Sequence, residues 1–155
     1  MSSSSRPSKG RIVLSGLLAG LCVNVVDIPN SALLVSPAWS AFLAEHGIVM
    51  NVPLVSVFYT TLHFAYGVAL MAFYEVFAPS FGRGLRTALL VTAAVLAVHR
   101  FFGLGMVVMG TMPLVIYLQF SASMILGSLL GGVLGAALLD GGARTARGQS
   151  SAPAA

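Results

Sequence analysis

Charge is scarce in this chain: only 8% of its 155 residues are Asp, Glu, Lys or Arg, and four of those are acidic. An ordinary soluble domain carries about 25%. With so little charge to meet water, a soluble globular fold is excluded. Cysteine is nearly absent too. Cys22 stands alone, so no disulfide closes within the chain and no cysteine-based zinc or iron–sulfur centre assembles in one copy. Cations are missing from two long stretches, between Arg11 and Arg83 and between Arg100 and Arg144.

Hydrophobic residues take the place of charge. They make up 57% of the chain, with a mean hydropathy of +0.95, and they gather in runs of about 20 residues or more, the length that crosses a bilayer as a helix. The reading is an all-α polytopic membrane protein, a four-helix transmembrane bundle whose solvent is the lipid bilayer. The net charge of +4 then serves orientation rather than nucleic-acid binding. Arg6, Lys9 and Arg11 precede the first run, Arg83 and Arg86 lie between the second and third, and Arg144 and Arg147 follow the fourth. By the positive-inside rule both termini face the cytoplasm from the inner membrane. No basic stripe interleaves with aromatics, so nucleic acid is not a partner.

Residues 1–10, Ser-rich with Pro7 and Gly10, read as a disordered cytoplasmic tail, and so do residues 141–155. Between them a four-helix domain spans 11–140. The first span covers about 12–35, kinked at Pro29 and stopping before Pro37. Its basic start and apolar stretch have the length of a signal peptide, but a small-x-small site comes only at Ser36–Ala38, so the segment reads as a retained span. Ser36–Pro37 offers an N-cap with proline at the first helical position, and Gly47 a stop. A short interfacial helix over about 37–46 follows, with Trp39 as its headgroup anchor or, in the binding alternative, a lid over an interhelical cavity. The second, third and fourth spans cover about 53–77, 85–109 and 112–139. Gly127, Gly131 and Gly135 recur every four residues and lay a close-packing groove along the fourth, for a neighbouring helix or for the seam of a homodimer or membrane partner.

Polar groups inside the spans are the candidates for function, because each is costly in hydrocarbon. Counting along the helices at 1.5 Å per residue places Asn24 and Asp27 (first span), Tyr59 and His63 (second), His99 and Arg100 (third) and Gln119 and Ser123 (fourth) in one layer. Asp27 and Arg100, the only acid and only base at that level, are expected to pair. Glu75 lies apart, near the basic turn holding Arg83 and Arg86, and is expected to pair with one of them. The layer admits a satisfied polar core that fixes helix register, or a ligand cavity. His63 and His99 also admit a bis-histidine haem b, or with Asp27 a divalent metal. No elbow motif supports serine nucleophilic catalysis.

The stretch Gly16–Leu34, GLLAGLCVNVVDIPNSALL, followed by Trp39 and Gly47, resembles the opening of small four-span bacterial integral membrane proteins of uncharacterised function. The resemblance implies a four-span fold and carries no chemistry with it. The function expected from the residues is non-enzymatic: an interhelical polar site that binds a small ligand or supports a membrane partner. A haem or metal enzyme using His63 and His99, or a small-solute transporter, are the alternatives.

Overall fold

A computed structural model describes residues 7–150, and side chains as far as residue 141. Its ordered elements are all helical: α1 (Lys9–Glu45), α2 (Val52–Phe81), α3 (Leu85–Val108) and α4 (Leu114–Ser150). All four are long and apolar enough to cross a membrane. Large hydrophobic side chains cover the outside, with Leu33, Phe101, Phe102 and Val108 between 74% and 81% exposed. Such a surface suits hydrocarbon, not water.

The first helix corrects the expected interfacial helix. No break separates residues 12–35 from 37–46: α-helical Lys9–Asn30 passes through a π-helical turn, Ser31–Val35, into α-helical Ser36–Glu45. Proline lacks a backbone donor and its ring crowds the carbonyl four residues back. Ahead of Pro37 the wider turn absorbs this, since the Ser36 N–H reaches the Ser31 carbonyl, five residues back. Ser36 sits at φ −58°, ψ −44°, helical values rather than the extended ones of an N-cap. Pro29 is likewise held inside the helix.

Other boundaries move for related reasons. α2 continues past the expected end at 77 to Phe81, with Pro79 in its last turn, where few hydrogen bonds remain to be lost. α1 starts at Lys9, so residues 9 and 10 belong to it. α4 runs beyond 139 to Ser150, because no proline occurs between Pro113 and Pro153 and glycine at 141 and 142 weakens a helix without ending it. Residues 1–6 and 151–155 of the two expected tails lie outside the described residues. Gly47 is the stop expected of it, and both it and Gly110 adopt positive φ, +69° and +72°, closing α1 and α3.

The helices form a ring in chain order. α1 packs on α2 and α4, and α3 packs on α2 and α4, leaving α1 and α3 diagonal to one another. Glycines set the spacing. A Cβ on Gly20 would lie 2.6 Å from Cα of Phe64, one on Gly127 2.9 Å from Cα of Val23, and one on Gly131 2.5 Å from the Ala19 carbonyl oxygen. The groove of Gly127, Gly131 and Gly135 therefore receives α1 of the same chain, with Met71 of α2 also against Gly135, as the neighbouring-helix reading expects.

One end of the bundle is tied by charge. Arg83, in the α2–α3 turn, holds both Glu75 carboxylate oxygens through Nη2 at 2.6 and 2.7 Å and Asp140 Oδ1 through Nη1 at 2.9 Å. The Tyr74 hydroxyl donates to Asp140 Oδ2 at 2.6 Å and accepts from the Gly84 N–H at 2.8 Å. Burial works against the Arg83 charge, but Glu75 and Asp140 outweigh it and the guanidinium pKa is raised. Arg11 of α1 caps the Leu139 carbonyl of α4 at 2.7 Å. Beneath this lock Leu70, Met71, Tyr74, Ala88, Ala136 and Leu139 make the apolar core. The polar residues lie toward the opposite end, where the α1–α2 and α3–α4 connections run.

Candidate functional site

The site grows from one face of α1. Asn24 and Asp27 are three residues apart and buried, and Gly20, one turn earlier, removes the side chain that would hold α2 away. His63 of α2 is thereby brought to Asn24, its Nδ1 lying 2.9 Å from Asn24 Oδ1. The Asn24 amide nitrogen donates to the Thr60 carbonyl at 3.3 Å. A carbonyl only accepts, so the amide orientation is set, Oδ1 faces the imidazole, and the ring carries its proton on Nδ1. Nε2 then points at Asp27 Oδ2, 3.9 Å away, with either a lone pair or a second proton.

Asp27 is held from two further directions. Ser123 of α4 donates to Oδ1 at 2.6 Å, and Ser31, in the π turn, donates to Oδ2 at 3.1 Å. Asn30 donates to Ser123 Oγ at 3.1 Å and to the Gln119 carbonyl at 3.3 Å. The carboxylate thus rests on hydroxyls, with an imidazole within reach of one further proton. Ser123 donates to a carboxylate and not to an imidazole, so a serine nucleophile paired with a histidine base does not arise here.

The expected Asp27–Arg100 ion pair is not formed. Asp27 lies on α1 and Arg100 on the diagonal helix α3, and each finds partners on the neighbours between them. Arg100 Nη1 donates to Ser121 Oγ at 3.1 Å, its guanidinium lies 5.7 Å from the Tyr117 ring centroid, and the Tyr117 hydroxyl donates to its backbone carbonyl at 3.0 Å. The single layer therefore divides in two. Successive helical residues turn by about 100°, so Ser123 faces α1 while Ser121 faces α3, and His99 meets the Tyr66 ring of α2, 6.0 Å between centroids, while Arg100 turns to α4.

Gln119 and Tyr59 complete the comparison. The Gln119 side chain stays out of the Asp27 group, with Oε1 buried and lacking a hydrogen-bond partner. Tyr59 is 46% exposed and stands in the wall of a cavity of about 300 Å³. Asn24, Asp27 and His63 form the polar floor of that cavity, and Trp39, Met106, Met112 and Phe120 join Tyr59 in its walls. The lid alternative for Trp39 thus has its residue at the cavity. Asn30 and Ser31 escape the sequence reading, although their spacing from Asp27, three and four residues, placed them on its face.

No group of three His, Cys, Asp or Glu side chains converges in a way that could hold a metal ion among the described residues. His63 is engaged by Asn24 and Asp27 and His99 by Tyr66, so the two histidines are not assembled with Asp27 into one metal site. Compared with protein-family models, curated proteins and solved structures, the chain matches none.

Proposed function

We propose that the chain is a multi-pass protein of the cytoplasmic membrane, both termini inside, that binds a small ligand in the cavity at the connection end of its helix bundle. The observation that carries this reading is the floor of that cavity: a buried carboxylate and imidazole, held by Asn24, Ser31 and Ser123, next to about 300 Å³ of space walled by aromatic and methionine side chains. A polar core serving only helix register has no need of adjoining space. Ligand sites combine a largely apolar concavity with a few fixed polar groups, and between the helices of a bundle is where such sites form.

Trp39 supplies the assay, since it is the only tryptophan and stands in the wall. Titrating the purified protein in mild detergent with benzyl alcohol should change Trp39 fluorescence saturably, and Ala32→Phe, which fills the cavity, should abolish the change. A linear, unsaturable response that is the same in both proteins would sink the ligand-site reading.

A further inference from the structure

Resting on the ligand-site reading, we infer that the cavity selects a small organic ammonium ion with an apolar body. The charge of its lining is one-sided. Among the described residues Asp27 is the only Asp, Glu, Lys or Arg in contact with the cavity, and His63, its protonation on Nδ1 dictated by Asn24, presents Nε2 as an acceptor when neutral. Arg100, the one cation embedded in a span, is turned to Ser121 and Tyr117 and takes no part in the lining. A carboxylate or phosphate entering the cavity would meet a fixed negative charge with no cation to receive it. An ammonium group would meet a carboxylate that has lone pairs to spare after its bonds to Ser31 and Ser123.

The walls favour an organic cation over a bare metal ion. A metal would need several oxygen, nitrogen or sulfur ligands, and no suitable cluster occurs among the described residues. Trp39 and Tyr59 line the cavity instead with aromatic rings, the side chains that attract an alkylammonium or benzylammonium group, while methionines adapt to the apolar remainder. The ammonium head belongs between Asp27 and His63, where Nε2 and Oδ2 stand 3.9 Å apart, and the body toward Trp39.

Isosteres separate this inference from the reading beneath it. At neutral pH benzylammonium, benzyl alcohol and benzoate differ mainly in the charge of the head group, and Trp39 fluorescence reports all three. Benzylammonium should bind about tenfold or more tightly than benzyl alcohol, the ratio expected of one charge-assisted hydrogen bond, and benzoate should not saturate. Asp27→Asn should abolish the preference, bringing benzylammonium down to the affinity that the same variant shows for the alcohol. Equal affinity for amine and alcohol in the wild type would overturn the ammonium class and leave the ligand site standing; binding of neither would overturn both. If Asp27→Asn also loses the alcohol, its cavity has collapsed, and the wild-type ratio alone decides.

Discussion

Asp27 and Arg100 show how two ionisable residues at similar depth live apart. Asp27 is satisfied by hydroxyls of Ser31 and Ser123 and faces His63, whereas Arg100 relies on Ser121 and an aromatic face. Energies of residues without shared partners add, and those of contacting residues do not. Asp27→Ala and Ser123→Ala should each cost about 1–3 kcal/mol by leaving a buried polar group unsatisfied. Their double mutant should cost at least about 0.5 kcal/mol less than the sum, while Asp27→Ala with Arg100→Ala should add to within about 0.5 kcal/mol. Equilibrium unfolding in mixed micelles measures both, and stronger coupling of Asp27 to Arg100 than to Ser123 would contradict the geometry.

At the scale of elements, glycine position matters more than glycine number. Gly131 on α4 lies against the Ala19 carbonyl of α1, while Gly105 on α3 has open space around it. Gly131→Ala should force the two backbones apart at a cost of about 1–3 kcal/mol, and Gly105→Ala should be neutral or stabilising by up to about 1 kcal/mol. Thermal unfolding in detergent separates them; equal losses would mean that α1 and α4 do not meet at Gly131. The sequence spacing already marked the Gly127–Gly135 groove, the four apolar runs and the link between Glu75 and the Arg83 turn. Angular position was harder to read, because depth can be counted from a turn but which neighbour a face meets depends on the order of helices in the ring. Ser121 and Ser123 differ by two residues and face different helices for that reason. The π turn was hidden because Ser36 and Pro37 carry the usual marks of a helix start, whereas the backbone stays helical through both.

For the whole molecule, the lock of Arg83, Glu75, Asp140, Tyr74 and Arg11 gathers the start of α1, the α2–α3 turn and α4 near Asp140 at one end. The cavity lies toward the other. In the proposed orientation, with the basic end in the cytoplasm, the cavity faces outward. With Cys22→Ser as background, a cysteine at Glu45 should react with an impermeant maleimide in intact cells, and one at Ser80, beside the basic turn, only after lysis. The opposite pattern would turn the molecule over and put the cavity on the cytoplasmic side.

The π turn at Ser31–Val35 also divides the cavity by origin. Asn24 and Asp27 precede it and Trp39 follows it, all on one continuous helix. A π turn holds one residue more than an α turn, so losing a single residue there would close it to ordinary α-helix and leave the helix beyond it facing as before, whereas the same loss in an ordinary turn would rotate everything beyond by about 100°. The wide turn is thus slack in the middle of α1: on the ligand-site reading, the helix can lose a residue there while Asp27 before it and Trp39 after it both keep facing the cavity.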